Sequence, residues 1–386
     1  MATTLITTFL LAHSVFSAPI FPRNATSFPP NVSDACNDLR NCRTMWGIVY
    51  SCLLTVFACI WTAVHPNVPK HYYGAWSFRS PRVGFTLLSL LSPEIILVFA
   101  WRDFLKSWEI SKKCRNVEGW TFTHSYFVAM HGFFDPSAES ALGYRDDLQR
   151  YPGIIEKSGN ARKAAITKEE ILDRSKGDPF AKSIIVLQLL WFIAQYVGRW
   201  ASHLHRSQLE TMTLAYAALS VVVYVLWWHK PVNIRFPIHV ARESNPDPPT
   251  SGTNVDQPTP KTETDVDLIS PVTRIGDVEF DLIFIVTGMI FGGIHCLAWS
   301  FRFPTHVEML LWRVSAIIIT VFPGFFMFSV RVGGSEWPPG LATAFIGFVY
   351  ATARVILFVL TFTSLQSPLP DLYQTPSWSS FLPHFG

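Results

Sequence analysis

The stretch Arg174-Ser175-Lys176-Gly177-Asp178-Pro179-Phe180-Ala181-Lys182 leads directly into residues 183–200, where Arg199 is the one charged residue. A hydrophilic segment ends at this boundary and an apolar helix begins, with about 20 residues, the length that crosses a bilayer. The same change from polar to apolar sequence recurs along the chain. We predict an all-α, polytopic transmembrane helix bundle with six or seven membrane segments, a helical loop and a disordered loop.

The composition also indicates a membrane protein. Hydrophobic residues make up 49% of the 386 residues and charged residues 15%, against about 25% charged in a soluble domain. The deficit is expected because a charge at the bilayer centre costs about 2.5–3.5 kcal/mol. The net charge of +3 is small, and no basic patch alternates with aromatic residues, which argues against a nucleic-acid partner. The lipid bilayer is the expected partner, and the sequence leaves protein partners unknown.

Residues 1–17 have the features of a secretory signal peptide, with an apolar core and small residues before a cleavage site after Ser17. Because they lack Lys and Arg, an uncleaved first span is the alternative. Asn24 and Asn31 stand in N-glycosylation sequons directly behind this segment, and Cys36 and Cys42 could close a disulfide. We therefore expect an integral membrane protein of the secretory pathway, in the plasma membrane or an endomembrane, with an extracytoplasmic N-terminus.

Hydropathy and composition divide the chain into successive segments. These are a signal peptide (1–17), an extracytoplasmic N-terminal segment (18–45), the first membrane segments (46–101), a hydrophilic, partly helical loop (102–182), a helix pair (183–228), a disordered loop rich in Pro, Thr and Asp (229–279), three C-terminal membrane helices (280–363) and a tail (364–386). Thr167 and Glu170 form a capping-box pattern that predicts a helix start. The spacing of Gly288 and Gly292 predicts a face where another helix backbone approaches closely.

The segment 83–101 decides the topology because it carries Pro93 and Glu94 at its centre. Proline removes a backbone donor and a carboxylate is costly in lipid, so the segment is either a kinked span or a re-entrant hairpin buried in protein. A kinked span gives seven crossings and places the loop 102–182 outside the cytosol. A re-entrant hairpin gives six crossings and keeps both large loops in the cytosol, where Lys and Arg beside span ends are favoured.

Short motifs spread over nearly the whole mature chain resemble those of a fungal family of polytopic integral membrane proteins with no assigned biochemical activity. They include Cys42-Arg43-Thr44, His65-Pro66-Asn67, Pro93-Glu94, the stretch from Arg174 to Asp178, Gln188, Gln195, Arg199, Leu209-Glu210, Lys230-Pro231, His295, Trp312-Arg313, Ala353-Arg354 and Pro383-His384. Pro179 departs from the family pattern, which has a helix former at this position. The resemblance implies a fungal origin and a multispan architecture, and it implies no mechanism.

The candidate site is a polar bundle interior. It comprises Glu94, Gln188, Gln195, Arg199, His295 and Arg354. Glu94 beside a helix break could bind a cation or relay a proton, or it could form a structural pair with a buried cation. Gln188, Gln195 and Arg199 share one helix face and line a polar path, or they serve helix–helix hydrogen bonding with Arg199 reaching the surface. His295 could titrate near neutral pH, or it is a satisfied interior histidine.

Enzyme signatures are missing from the sequence. It contains no Gly-rich phosphate loop, no Gly-x-Ser-x-Gly elbow and no His-Glu-x-x-His motif, so we predict no catalytic residue, cofactor or metal. His124 and His131 are seven residues apart on one predicted helix face but lack a third ligand. The leading hypothesis is solute or ion transport, or sensing, through the polar interior. A non-catalytic scaffold that binds cytosolic partners is the alternative, and a membrane-embedded enzyme is the third.

Overall fold

The computed structural model describes residues 43–62, 64–68, 81–143, 145–175, 179–243, 278–332, 339–366 and 370–374. Several sequence predictions lie outside the described residues. These are the signal peptide, the sequons at Asn24 and Asn31, the disulfide between Cys36 and Cys42, residues 244–277 of the loop predicted to be disordered, and the end of the tail.

The described chain is mainly helical. Its α-helices are α1 (Met45–Phe57), α2 (Pro81–Leu91), α3 (Pro93–Lys113), α4 (Phe122–Ala129), α5 (Lys168–Arg174), α6 (Pro179–Ala201), α7 (Gln208–Leu226), α8 (Val278–Cys296), α9 (His306–Val332) and α10 (Pro339–Thr363). α1 continues into a π-helical turn, Ala58–Thr62. Short 3-10 turns cover Leu148–Arg150, Ser364–Gln366 and Pro370–Tyr373.

Four described helices are long and apolar enough to cross a membrane, by length and composition. They are Phe180–Ala201, Gln208–Leu226, His306–Ser329 and Ala344–Gln366. Two shorter apolar helices, Met45–Trp61 and Phe280–Cys296, lie at the positions of two further predicted spans. The apolar bundle is therefore found where hydropathy predicted it, while a total of six or seven crossings stays a prediction.

The helices form an antiparallel bundle with two chemically different ends. At the end that we call the terminal end, the backbone amide of Arg43, just before α1, donates to the Tyr373 carbonyl after α10 (2.8 Å). At the opposite end, the amide of Val68 donates to the Met130 carbonyl (2.9 Å). This opposite end, the polar end, is covered by a layer that we call the polar layer. It consists of residues 114–143, 145–175 and 230–243.

Short strands join the two segments of the polar layer. β1 (Phe133–Asp135) pairs antiparallel with β2 (Ser140–Ala141) and parallel with β5 (Ile238–His239), which comes from the second segment. β3 (Ile155–Ser158) and β4 (Ala161–Ala164) form a hairpin. Gly159 has φ of 62° in the hairpin turn, a left-handed conformation that glycine adopts without strain. The all-α prediction therefore applies to the bundle and misses these strands in the polar layer.

Two local predictions for the polar layer can be checked. Thr167 and Glu170 make both hydrogen bonds of a capping box at the start of α5, so that prediction is confirmed. His124 lies on α4, whereas His131 follows the end of α4 with φ of 64°, so the two do not share a helix face. Burial lowers the pKa of His124, and the neutral ring accepts from the Thr121 amide and faces the Ile166 carbonyl.

α2 and α3 form a broken hairpin, residues 81–113, that turns at Ser92. The two arms lie against each other, since the rings of Phe85 and Phe99 are 5.6 Å apart. The turn lies at mid-bundle, because the hydroxyl of Tyr216, halfway along α7, donates to the Leu90 carbonyl at the end of α2 (2.5 Å). From this turn α3 runs to the polar end, and α2 lies alongside it. Pro93 explains the break, since it lacks the amide that would continue the helix.

Glycines bring α8 and α9 into close contact, as their spacing predicted. A side chain at Gly292 would place its Cβ 2.5 Å from the Thr320 Cα on α9, and one at Gly288 would collide with Pro323. A Cβ at the neighbouring Gly293 would meet no atom within 4 Å. Position 292 therefore has no room for a side chain against α9, whereas the adjacent position 293 does.

Gly292→Ala is expected to lower the free energy of unfolding by about 1–3 kcal/mol, because the two backbones must separate to admit the methyl group. Gly293→Ala is the matched control and is expected to be neutral or slightly stabilising, since alanine favours helix. Thermal unfolding of the two purified variants in the same detergent measures the difference. Equal stability of the two variants would contradict the close α8–α9 contact.

Candidate functional site

Glu94 lies at the turn of the broken hairpin and is completely buried. Its Oε1 accepts a hydrogen bond from the Ser92 hydroxyl (2.5 Å) and a very short one from the Tyr350 hydroxyl of α10. Its Oε2 has no hydrogen-bond partner among the described residues. A buried carboxyl oxygen without a partner is energetically costly, so this atom points to a role beyond packing.

Arg354, one helical turn after Tyr350 on α10, closes the other side of the same turn. Its Nε donates to the Leu91 carbonyl (2.9 Å), and its guanidinium nitrogen NH2 donates to the Tyr216 hydroxyl (3.1 Å). The guanidinium also lies over the rings of Phe291 (4.2 Å), Tyr216 and Tyr350. The charge of a 5%-exposed arginine is thus met by carbonyl groups, a hydroxyl and aromatic faces.

Arg354 lies at the C-terminus of α2, and Glu94 lies at the N-terminus of α3. The last carbonyls of α2, at Leu90 and Leu91, face Arg354, and the first turn of α3 carries Glu94. A helix C-terminus carries partial negative charge and an N-terminus partial positive charge, so each residue stands at the end that favours its sign. Interrupted helices whose ends meet inside a bundle are a recurring way to build an ion or substrate site in transporters.

His295 lies near this site on α8 and is also completely buried. Its Nδ1 is 2.8 Å from the Phe291 carbonyl, and since a carbonyl only accepts, Nδ1 carries the hydrogen. Its Nε2 is then an acceptor, without a hydrogen-bond partner in the described part of the chain. The Trp312 indole of α9 donates to the His295 carbonyl (3.2 Å). The predicted interior histidine is therefore only half satisfied.

A small cavity adjoins the broken hairpin on the polar-end side of Glu94. It is lined by Cys59, Ile60, Ser89, Pro93, Ile96, Tyr216, Leu219, Ser220 and Val223. Its volume is about 10 Å³, the space needed by roughly one water molecule. Cys59 belongs to the π-helical turn after α1, and such turns are frequent at functional sites. Pro93 and Tyr216 are shared between this cavity and the Glu94–Arg354 site.

Arg199 belongs to a second cluster, at the terminal end of the bundle. It is 2% exposed, and its guanidinium donates to the carbonyls of Gln374 (2.5 Å) and Leu372 (3.2 Å). Glu210, in the first turn of α7, is 3.9 Å from Arg199 and accepts from Arg43 at 2.6 Å. Arg199 thus ties the segment after α10 to the bundle instead of reaching the surface. We interpret the contacts of this cluster as structural.

Gln188 and Gln195 are half-buried on α6, and the described hydrogen bonds of the Glu94 site do not include them. The structure therefore places Glu94 and Arg354 at the same turn, links His295 to Arg354 through the Phe291 ring, and separates Arg199 from them. The polar path predicted along one face of α6 remains a prediction.

A buried ion pair fixes the broken hairpin to the polar end. Lys230, 2% exposed, donates to Asp103 on α3 (2.7 Å) and to Asn67 (3.2 Å). The Trp227 indole donates to the same Asp103 oxygen (3.2 Å). Lys182 donates to the carbonyls of Trp227 (3.4 Å) and Trp228 (3.1 Å) and so caps the end of α7. These contacts set the depth of α3 in the bundle.

Sequence reasoning did not find Ser92, Tyr216 and Tyr350. Single hydroxyl groups are common in apolar helices and carry little signal on their own. One weak signal exists, because Tyr350 and Arg354 are four residues apart and so share a helix face. No group of three or more His, Cys, Asp or Glu able to hold a metal ion occurs among the residues that the structure describes.

A family model described as "Family of unknown function (DUF8562)" matches residues 15–249. This range includes Glu94, Asp103, Arg199 and Lys230, whereas His295 and Arg354 lie beyond it. No curated protein and no solved structure matches the chain.

Proposed function

The chain belongs to the family of unknown function DUF8562, and from its own geometry we propose that it is an integral membrane protein that moves or senses a small solute or ion at Glu94. The carrying observation is the buried, half-satisfied carboxylate between two half-helix ends, with Arg354 at the opposite end. Ionisable groups inside an apolar bundle are costly and usually functional.

An outward-facing apolar surface supports the membrane part of this proposal. Phe325 and Phe328 on α9, and Phe345 and Phe348 on α10, are between 61% and 70% exposed. Water would not favour such a surface on a monomer, whereas lipid tails cover it at no cost.

Six crossings are the proposed topology, with the broken hairpin as a re-entrant element. Val68, just after the π-helical turn that follows α1, touches Met130 of the polar layer, and α3 leads into the same layer. The end of α1 and the end of α3 therefore lie at the same end of the bundle, the polar end, and the broken hairpin between them enters and leaves the bundle there. Both large loops then lie in the cytosol and both termini outside.

The same proposal includes a cleaved signal, a secretory-pathway membrane and a fungal origin. It also includes glycans on Asn24 and Asn31 and a disulfide between Cys36 and Cys42.

Glu94→Gln tests the function directly, because it keeps the shape of the side chain and removes the charge. A panel of Na⁺, K⁺, Ca²⁺, protons and small amino acids is screened for stabilisation of the purified full chain in detergent. A ligand at 100 times its Kd stabilises the folded state by about 2.7 kcal/mol. We expect one panel member to stabilise the natural chain and to lose this effect in the Glu94→Gln variant.

Glu109→Gln is the matched control, since Glu109 is an exposed carboxylate on the same helix. It should respond to the panel like the natural chain. Stabilisation that is equal in the Glu94→Gln variant, or a panel without any effect, would contradict a ligand site at Glu94.

A scaffold is the second candidate function, and one observation favours it. Glu94 is 0% exposed, so the bundle is closed around the carboxylate in this conformation. The polar layer joins two loops through β1 and β5 into one surface that could bind cytosolic proteins. In that case the Glu94→Gln variant loses protein level or thermal stability, and no ligand response accompanies the loss.

A further inference from the structure

We propose that the species exchanged at Glu94 is a proton, and that it reaches the carboxyl through the cavity beside Ser89 and Ser220. The inference deepens the proposed function and rests on it. It commits to a ligand and to a route, which the function proposal leaves open.

The donors around Glu94 do not suit a metal cation. The hydroxyl groups of Ser92 and Tyr350 both point their hydrogens at Oε1, so their role is to donate to the carboxylate. Ca²⁺ requires about six to eight oxygen ligands, and this site offers one acidic side chain. The Arg354 guanidinium, 5.9 Å from the centre of the Tyr350 ring, would repel a metal ion that stays charged beside it, whereas a transferred proton leaves a neutral carboxyl.

A proton needs only the free oxygen that the site provides. Oε2 of Glu94 has no hydrogen-bond partner among the described residues, so it can bind a proton without breaking an existing bond. The step is balanced as the transfer of one proton from a hydronium ion to the carboxylate, which leaves a neutral carboxyl and one water molecule. No oxidant, reductant or second substrate is involved.

The ionisable groups in and around the Glu94 site come from several elements. α10 supplies Tyr350 and Arg354, α7 supplies Tyr216, α8 supplies His295, and the turn after α1 places Cys59 in the adjoining cavity. α9 contributes the Phe322 ring, 4.1 Å from the Tyr350 ring, which does not titrate. Arg354 is the one fixed charge in this set, so a change in protonation of Glu94 switches the site between neutral and positive.

The cavity is the natural route because it is small, lies next to the site and carries a few polar groups in a mainly apolar lining. Side chains of Ser89, Ser220 and Cys59 line it, and its volume of about 10 Å³ suits roughly one water molecule. Pro93 and Tyr216 form the wall that it shares with the Glu94 site. Cys59 lies in the π-helical turn after α1, and Val223 lies in the half of α7 nearer the polar end, so the proposed route opens toward the polar layer.

Infrared difference spectroscopy of the full chain in lipid vesicles tests both statements. A pH titration should reveal the carbonyl stretch of a buried protonated carboxyl, and Glu94→Gln should remove it while Glu109→Gln retains it. On transfer to D2O, Ser220→Leu should slow the deuterium shift of this band about tenfold, equivalent to a barrier higher by about 1.4 kcal/mol. Val222→Leu, on the exposed face of the same helix, should exchange at the natural rate. If the Ser220→Leu variant does not fold, Ser89→Leu replaces it, because this substitution fills the cavity from the opposite side.

The outcomes separate this inference from the proposed function. A metal cation that stabilises the chain only when Glu94 is present would contradict the proposal that the exchanged species is a proton, and it would support the proposed function. The absence of a titrating infrared band that depends on Glu94 would directly contradict proton exchange at this residue. Deuterium exchange at the natural rate in both Ser220→Leu and Ser89→Leu would contradict the proposed route.

Discussion

Replacing Asp103 with leucine is expected to destabilise the protein by about 3–5 kcal/mol, the usual cost of removing one partner from a buried ion pair. Lys230 would lose its carboxylate partner in a site where its side chain is 1% exposed, with the Asn67 side chain as a remaining acceptor. The Trp227 indole would lose its acceptor as well. Because Asp103 lies on α3, the loss should also loosen the broken hairpin. Thermal unfolding of the purified variants in detergent measures the effect.

The double variant Asp103→Leu with Lys230→Met should recover most of this stability, since no buried charge is left unpaired. Glu109→Gln removes an exposed pair with Lys113 on the same helix and should cost only about 0.3–0.5 kcal/mol. A double variant that is less stable than Asp103→Leu alone would show that the pair itself does not explain the loss.

Arg354→Met is the second large effect, at about 3–5 kcal/mol. The change leaves the Leu91 carbonyl without its described donor and leaves Glu94 buried beside no fixed positive charge. Arg354→Lys should recover only part of the loss, because an ammonium group lacks the planar fork that serves a carbonyl and a hydroxyl at once. Denaturant unfolding of both variants gives the comparison.

Coupling between Arg354 and Glu94 is checked by combining Arg354→Met with Glu94→Gln. If the two charges stabilise each other across Tyr350, the double variant should lose less than the sum of the single losses. Strict additivity of the two losses would show that Arg354 serves the α2 carbonyls alone.

Much of the bundle could be predicted because its signals are local. Apolar runs gave the positions of the long helices, Pro93 gave the break, and the spacing of Gly288 and Gly292 gave the α8–α9 contact. Each of these features depends on residues within one helix length. Hydropathy or steric size therefore carries the information without knowledge of the fold.

The pairings at the site could not be predicted, because they join residues far apart in the chain. The Tyr350 hydroxyl meets Glu94 across 256 positions, and Lys230 meets Asp103 across 127. Nothing in one sequence says which of several buried cations faces a given carboxylate. The strands of the polar layer were missed for a different reason, since two to four residues are too few to show an alternating pattern.

The re-entrant position of the broken hairpin is the central claim, and glycan mapping tests it most directly. Arg162→Thr creates an acceptor sequon at Asn160 in the exposed β3–β4 turn, and Ser377→Asn creates one in the tail before Trp378 and Ser379. Each is introduced separately into the full chain, expressed in cells and analysed by endoglycosidase shift. With six crossings, the tail variant gains a glycan and the Asn160 variant does not. A glycan at Asn160 together with an unmodified tail would contradict the account, because α2 and α3 would then cross the membrane.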